Sequence, residues 1–263
     1  MCRLLRVPAA DPLGGRVTRK SRPPGTARAR ASCSTQVLIG MDAEPRLLCV
    51  FMPTASFSGD FCTELCRLLV WRRDVRRFRR EPLLEGTLER LLELACLAPS
   101  VGLSQPWRFV LVENAGRRQA VLESFLACNR EALDACPADR ASRYARLKLA
   151  GLQEAPHQVA VFCDEATDQG GGLGRRTMPE MLRYSAVLAV HTLWLAARAE
   201  GVGIGWVSIL DPACVHAALQ VPAPWSLVAY LCIGYPVAED DVPELERAGW
   251  ERRCPLKQFI LQR

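Results

Sequence analysis

A short run of charged residues carries the strongest chemical signal in this sequence. Four arginines and one aspartate lie within six residues, Arg72-Arg73-Asp74-Val75-Arg76-Arg77. Guanidinium groups bind phosphate and carboxylate oxygens in a planar, two-pronged geometry, so the cluster predicts a site for an anionic ligand. Asp74 adds nothing to anion binding. Two interpretations of it stay open: it pairs with the arginines around it, or it takes part in proton transfer.

A second segment offers groups that suit a polar aromatic ring. Residues 98–107 read Ala-Pro-Ser-Val-Gly-Leu-Ser-Gln-Pro-Trp and connect a predicted helix to a predicted strand. The hydroxyl of Ser100, the amide of Gln105 and backbone groups around Gly102 could bind a heterocycle, although a well-packed turn could have the same composition. Together with the arginine cluster, the loop favours an aromatic ligand that carries a phosphate, such as flavin mononucleotide (FMN).

Ser208 is a further candidate, because it lies in an apolar segment where a buried hydroxyl needs a hydrogen-bond partner. A strand serine bonded only to the backbone would meet the same requirement. The glycines of Gly201-Val-Gly203-Ile-Gly205 are not in the order of a dinucleotide fingerprint, and they follow a helix rather than a strand. We therefore interpret them as a helix end and a strand start.

Composition and charge limit the classes of protein to which this chain can belong. The chain has 263 residues, 49% hydrophobic and 24% charged, as in a soluble globular protein, and no apolar run reaches the roughly 20 residues of a membrane span. Residues 1–40 hold eight Arg or Lys residues and one acidic residue, which is +7; subtracted from the chain's +6, this leaves −1 for the other 223 residues. We therefore expect no nucleic-acid partner. The twelve cysteines include no CxxC pair, which favours free thiols in a reducing cytoplasm over disulfides or a metal site.

The basic leader, residues 1–58, differs from the rest of the chain. It is rich in Arg, Pro, Gly, Ala and Ser and shows little periodicity. A disordered tail, an upstream extension of a protein that starts at Met41 or Met52, and a transit peptide all fit this composition. We expect the folded domain to cover residues 59–263.

Apolar spacing predicts the elements that must position the candidate residues. Helices are expected over 60–73, 87–97, 116–135, 138–153, 180–200 and 212–219, and strands over 107–113, 157–163, 204–210 and 226–235. Residues 170–175 predict a glycine-rich loop. The pattern indicates an α/β or α+β domain in which helices pack on a central sheet of four or five strands.

Taken in order, these segments resemble the FMN-dependent nitroreductase superfamily, and in particular its 5,6-dimethylbenzimidazole synthase branch. The resemblance covers about residues 60–255. It rests on long blocks at 72–78, 98–109, 172–180, 193–198, 205–212 and 229–236. It implies an α+β, nitroreductase-like three-layer fold with a mostly antiparallel central sheet flanked by helices. It also implies a homodimer that binds flavin at the subunit interface, under a lid.

In that branch FMN is a substrate as well as a ligand. The resemblance implies that reduced FMN reacts with O2 and is fragmented to 5,6-dimethylbenzimidazole, the lower ligand of cobalamin, and erythrose 4-phosphate. It implies no metal, and it implies a separate flavin reductase that supplies reduced FMN. An NAD(P)H-dependent nitroreductase or flavin reductase, which keeps its FMN intact, is the alternative. A flavin-storage protein is a third, non-enzymatic possibility.

The resemblance also implies roles for the residues of the arginine cluster. Arg72, Arg73 and Arg76 match the phosphate and ribityl anchors, and Val75 lies between them. Asp74 stands where ordinary nitroreductases commonly have serine. In the synthase branch it is a candidate acid or base near the ribityl chain.

Other parts of the expected flavin site come from distant segments. The resemblance places Ser208 near the edge of the flavin ring and Gly102 in a loop that approaches the ring. Residues 172–180 resemble the lid, whose Met178 could shield the ring from water. The remaining expected flavin contacts are Ser100, Gln105 and Gly205.

Overall fold

The structure is a computed structural model that describes residues 57–263. The expectations for the basic leader fall on residues 1–58 and, apart from its last two residues, lie outside the described part of the chain.

Within residues 57–263, four strands form one antiparallel sheet in the order β1-β2-β4-β3. They are β1 (Trp107–Leu111), β2 (His157–Asp164), β3 (Gly203–Val207) and β4 (Trp225–Gly234). The central strands β2 and β4 are apolar along most of their length because both of their faces are covered. A parallel bridge between Asp74 and Ile204 lies at the outer edge of β3.

Helices cover both faces of this sheet. The helices of the described residues are α1 (Gly59–Trp71), α2 (Thr87–Ala95), α3 (Ala115–Asp134), α4 (Ala138–Tyr144), α5 (Met181–Ala199), α6 (Pro212–Leu219) and α7 (Glu244–Arg247), of which α2, α3, α5 and α6 pack on the sheet. On one face, α3 and α6 pack over Phe162 and Tyr230. On the other face, α2 and α5 pack over Val161 and Leu231. The expected three-layer α+β fold with an antiparallel sheet is confirmed.

The end of α1 sets the course of the arginine cluster. Ser58 caps the start of this helix by accepting a hydrogen bond from the Phe61 N–H at 3.1 Å. The helix ends at Trp71, and Arg72 already has extended backbone dihedrals, φ −61° and ψ 127°. The chain then runs along β3, where the Val75 N–H donates to the Ile204 carbonyl at 3.0 Å. The cluster therefore lies against the edge of the sheet.

The predicted helix over residues 138–153 is wrong beyond Tyr144. The Lys148 carbonyl accepts a hydrogen bond from Arg76 at 3.0 Å, and the Leu152 carbonyl accepts one from Gln158 at 2.7 Å. These carbonyls bind distant side chains instead of N–H groups within a helix. Gly151 also lies so close to Phe78 that an added Cβ would be 2.5 Å from the ring. Long-range packing therefore overrides the helical pattern here.

Other predicted bounds differ from the structure by a few residues. The strand expected over 204–210 ends at Val207, and the strand expected over 107–113 ends at Leu111. The short helix α7 was not expected. No helix among residues 57–263 combines the length and the apolar composition needed to cross a bilayer. Over the same residues, no group of three His, Cys, Asp or Glu side chains is arranged to hold a metal ion.

Candidate functional site

The arginine cluster divides into an inner and an outer part. Arg76 is mostly buried; its Nε donates to Oδ2 of Asp74 at 2.8 Å, and its Nη1 donates to the Lys148 carbonyl. Arg77 is exposed and binds Glu244 at 2.7 Å. Of the four guanidinium groups, the one that binds Asp74 directly is therefore that of Arg76, and Arg77 points to the surface.

Asp74 is held at both carboxylate oxygens. Oδ2 binds Arg76, and Oδ1 accepts a hydrogen bond from the backbone N–H of Trp206 at 2.9 Å. The structure therefore contains the pairing that one interpretation of Asp74 expected. Its side chain is still 30% exposed. A carboxylate offers about four acceptor positions, so Asp74 keeps capacity for a ligand proton.

Arg72 and Arg73 form the part of the cluster that suits an anion. The Arg72 guanidinium lies over the Trp194 ring, 4.9 Å from its centroid, and Trp194 Nε1 donates to the Arg73 carbonyl at 3.1 Å. Burial lowers the pKa of both arginines, and the nearby charge of Arg253 lowers both further. Within the described residues, the buried Nε of Arg73 has no hydrogen-bond partner. A phosphate group at this place would offset the positive charges of the three arginines and accept a hydrogen bond from the Nε of Arg73.

A pocket of about 140 Å³ lies at this point. Its lining is Arg72, Arg73, Asp74, Arg76, Pro243, Glu244, Leu245 and Arg253. Small-molecule sites usually measure about 300–1,000 Å³, so this pocket can hold one end of such a ligand. The positive charge of the lining favours the phosphate end.

Two glycines of β3 let the cluster approach the sheet. A Cβ added at Gly205 would lie 2.0 Å from the Val75 carbonyl oxygen, and one added at Gly203 would lie 2.8 Å from a methyl group of Val75. Backbone packing therefore requires glycine at position 205, and the side chain of Val75 leaves little room for a Cβ at position 203. Gly201, with φ +75°, follows the end of α5, as expected for a helix-ending glycine.

Ser208 lies one residue beyond the end of β3 and is exposed. The expectation that it sits in a buried strand is therefore wrong, and its hydroxyl needs no protein partner. It follows Trp206, whose N–H binds Asp74, by two residues, which is roughly 6.6 Å along an extended chain. Ser208 therefore lies on the same outer edge of the sheet as Asp74, but beyond the last residue of β3, whereas Asp74 bridges Ile204 near the first.

The loop over residues 100–105 forms a second group. Ser100 Oγ accepts from the Gln105 N–H at 3.1 Å, and Gln105 Oε1 accepts from Gln169 Nε2 at 3.0 Å. Gln105 has a positive φ of +42°, a conformation that is uncommon outside glycine and often marks functional loops. Gly102 faces a neighbouring segment: an added Cβ would lie 2.8 Å from the Leu173 carbonyl oxygen. The glycine-rich segment 169–174 therefore covers this loop.

The two groups lie at opposite corners of the sheet. Across the sheet, Trp107 of β1 lies level with Ser226 of β4, whereas Ile204 of β3 lies level with Ile233 of β4. Seven residues along β4 correspond to roughly 23 Å, and three strand spacings separate β1 from β3 by roughly 14 Å. One chain thus gathers Arg72, Arg73, Asp74, Val75, Arg76 and Gly205 at one corner, and Ser100, Gly102 and Gln105 at the other. Ser208 lies further along the edge of β3, beyond its last residue.

Three residues near these groups were missed from the sequence. Arg253 stands in a basic pair, Arg252-Arg253, within the polar tail, and this pair was the available signal. Trp194 lies in one of the blocks that resemble the family, but its role as a platform for Arg72 depends on packing. Gln169 has no signal in the sequence.

Comparison with known proteins identifies the family of this chain. Residues 69–235 match the nitroreductase family. The chain is 60% identical over 199 residues to a 5,6-dimethylbenzimidazole synthase of Rhodospirillum rubrum, across 76% of this chain and 94% of that protein. It is 47% identical to a 5,6-dimethylbenzimidazole synthase of Rhodobacter capsulatus, across 73% of this chain and 93% of the relative.

A solved structure extends the likeness to a flavoprotein. Iodotyrosine deiodinase, in a crystal structure with FMN and 3-iodo-L-tyrosine, is 27% identical and has a TM-score of 0.55. The match covers 67% of this chain and 91% of that chain. With these matches, the chain belongs to the nitroreductase family, in its 5,6-dimethylbenzimidazole synthase branch.

Proposed function

We propose that this protein is an oxidoreductase that uses O2 to fragment reduced FMN into 5,6-dimethylbenzimidazole and erythrose 4-phosphate. The observation that carries the proposal is the carboxylate of Asp74, held beside the arginines of an anion pocket. The relatives named 5,6-dimethylbenzimidazole synthase, at 43–60% identity, support it.

The arginine pocket binds the phosphate of FMN. Arg72 and Arg73 supply the guanidinium groups, and Arg253 adds a third positive charge from the C-terminal tail. The guanidinium group of Arg76 already donates hydrogen bonds to the carboxylate of Asp74 and to the backbone carbonyl of Lys148. It therefore acts mainly as an anchor for Asp74, next to the ribityl chain.

Asp74 acts as an acid or base on the ribityl chain. Bound FMN supplies the ring that reacts with O2 and the carbon chain that is cut. The hydrogen bonds from Arg76 and from the Trp206 N–H hold both carboxylate oxygens and fix the orientation of the carboxylate. The exposed hydroxyl of Ser208, which follows the last residue of β3, hydrogen-bonds the edge of the ring.

A homodimer completes the site. Ser100, Gly102 and Gln105 lie at the opposite corner of the sheet from Arg73, which favours a site in which the partner subunit supplies the second group. The segment 172–180 acts as the lid, and its exposed apolar side chain Met178 shields the flavin from water.

The reduced flavin comes from a separate reductase, and the protein works in the cytoplasm. The synthase reaction consumes the flavin, so each turnover needs a new molecule of reduced FMN. The cysteines of the described residues are free thiols, which suits a reducing compartment.

An NAD(P)H-dependent nitroreductase is the alternative, since the family match and fold alone fit both activities. The two are separated by incubating the protein in air with chemically reduced FMN, or with FMN and NAD(P)H, and analysing products by mass spectrometry. We expect 5,6-dimethylbenzimidazole with reduced FMN, and slow NAD(P)H oxidation until a flavin reductase is added. Rapid NAD(P)H oxidation without a reductase, with FMN recovered intact, would favour the nitroreductase.

A further inference from the structure

One face of α5 contacts the end of α1 through two cation–π interactions. Trp194 and Arg198 are four residues apart on α5, so their side chains lie one turn apart on the same face. The Arg198 guanidinium lies over the ring of Trp71, 3.4 Å from its centroid, and the Arg72 guanidinium lies over the ring of Trp194 at 4.9 Å. Each segment therefore supplies one arginine and one tryptophan to a pair of crossed stacks.

Arg198 is an unusual residue to find in this position. It is 3% exposed, and arginine is seldom buried to this degree without strong partners. Its ion-pair partner Glu239 lies at 3.4 Å with a side chain that is 49% exposed, and within the described residues its Nε has no hydrogen-bond partner. The stack on Trp71 is thus its main favourable contact, since a desolvated cation over a tryptophan face is strongly attracted.

These contacts hold three consecutive residues. Trp71 is held by Arg198, Arg72 is held by the Trp194 ring, and the Arg73 carbonyl accepts a hydrogen bond from Trp194 Nε1 at 3.1 Å. Arg72 and Arg73 line the anion pocket. Neither Trp194 nor Arg198 lines it.

We infer that Arg198 is a positioning residue for the phosphate of the flavin: its stack on Trp71 fixes the end of α1, and with it the direction of Arg72 and Arg73. The inference rests on the proposed FMN site. We therefore expect Arg198 to affect the phosphate end of the ligand and to leave the ring end unchanged, because Asp74 is held by β3 and Ser208 directly follows that strand, and neither depends on α1.

Comparison of FMN with riboflavin isolates the phosphate contribution, because riboflavin lacks that group. The dissociation constant of each oxidised flavin is measured by fluorescence for wild type, Arg198→Met and Arg198→Lys. The control is Arg90→Met, which removes another arginine near the end of α5, one that binds Glu200. We expect wild type and Arg90→Met to prefer FMN over riboflavin to the same degree.

For Arg198→Met, we expect FMN affinity to fall about tenfold while riboflavin affinity changes by less than about twofold. Arg198→Lys, which can still place a cation over Trp71, should lie between wild type and Arg198→Met. An equal loss for both flavins, or no loss for either, would overturn the inference. A wild type that binds the two flavins equally would instead remove the phosphate site itself, and the proposed function with it.

Trp194→Phe gives a milder test if Arg198→Met does not fold. Phenylalanine keeps a ring under Arg72 but removes the hydrogen bond to the Arg73 carbonyl. We expect the preference for FMN over riboflavin to fall about threefold. An unchanged preference in a folded Trp194→Phe protein would contradict the positioning role of this face of α5.

Discussion

Asp74 accepts a hydrogen bond at 2.9 Å from the backbone N–H of Trp206, a residue 132 positions away in the chain. The bond joins the segment after α1 to the outer edge of β3, where a strand would otherwise leave an N–H group unpaired. The other oxygen of the same carboxylate binds Arg76. One side chain therefore both closes the sheet edge and places a negative charge beside the anion pocket.

Replacement of Asp74 by asparagine separates these two roles. Asp74→Asn keeps an oxygen that can accept from Trp206 but cannot act as a base. We expect formation of 5,6-dimethylbenzimidazole to fall about 10²–10⁴-fold, the range typical of general acid–base catalysis, while FMN still binds. Product is measured by mass spectrometry and FMN binding by fluorescence. Unimpaired product formation would leave Asp74 with a purely structural role.

Gly205 should be intolerant of any side chain. In Gly205→Ala the new Cβ would meet the Val75 carbonyl oxygen at 2.0 Å and push the arginine cluster away from β3. We expect the free energy of unfolding to fall by about 1–3 kcal/mol, with weaker FMN binding. Gly59→Ala is the matched control, because a Cβ there meets nothing within 4 Å and alanine favours the helix. Urea denaturation measures the free energy of unfolding of both variants. Equal stability of Gly205→Ala and Gly59→Ala would show that the arginine cluster can move away from β3 without cost.

The contact between Gly102 and the segment 169–174 can be tested against a glycine with the same backbone strain. Gly102 and Gly171 both have φ +57°, but a Cβ at Gly102 meets the Leu173 carbonyl oxygen at 2.8 Å, whereas one at Gly171 meets nothing within 4 Å. We expect Gly102→Ala to displace the segment and speed proteolysis at Arg175 and Arg176, and Gly171→Ala to do so much less. Limited digestion with trypsin measures this. Identical cleavage rates would mean that the segment does not depend on its contact with Gly102.

His157 should make the fold sensitive to mild acid. Its Nε2 accepts a hydrogen bond from the Leu83 N–H at 3.1 Å, and burial, followed by the charge of Arg118, lowers the pKa of His157 below its usual 6.5. As the pH falls below 6.5, the unfolded chain binds a proton at this histidine before the folded protein does, so the free energy of unfolding decreases. Urea midpoints measured from neutral pH downward should therefore fall more steeply for wild type than for His157→Gln, which keeps an acceptor without titrating. Parallel pH profiles of the two proteins would assign the acid sensitivity elsewhere.

Local patterns predicted the parts of this fold that depend on local interactions. The apolar runs at 157–163 and 226–235 identified β2 and β4, because strands covered on both faces must be apolar throughout. Apolar spacing over 212–219 predicted α6, and the structure shows in addition that Asp211 caps its first turn. The arginine cluster was recognised from residue type and spacing, which indicate an anion site but do not show that Arg77 points away from it.

Features that depend on distant contacts could not be predicted in this way. Nothing near Asp74 in the sequence points to Trp206 as its partner. The helical pattern beyond Tyr144 gave a wrong helix, since Arg76 and Gln158 take the carbonyl groups of that segment. The assignment of Ser208 to a strand failed because β3 ends one residue before it. The separation of the two groups of candidate residues follows from strand order alone, which a single sequence does not reveal.

The fate of the flavin tests the central claim most directly. The protein is mixed without oxygen with one equivalent of chemically reduced FMN, air is admitted, and intact FMN and 5,6-dimethylbenzimidazole are both quantified after quenching. The account predicts that one molecule of 5,6-dimethylbenzimidazole forms for each FMN that is lost. Full recovery of intact FMN, with no benzimidazole, would contradict it.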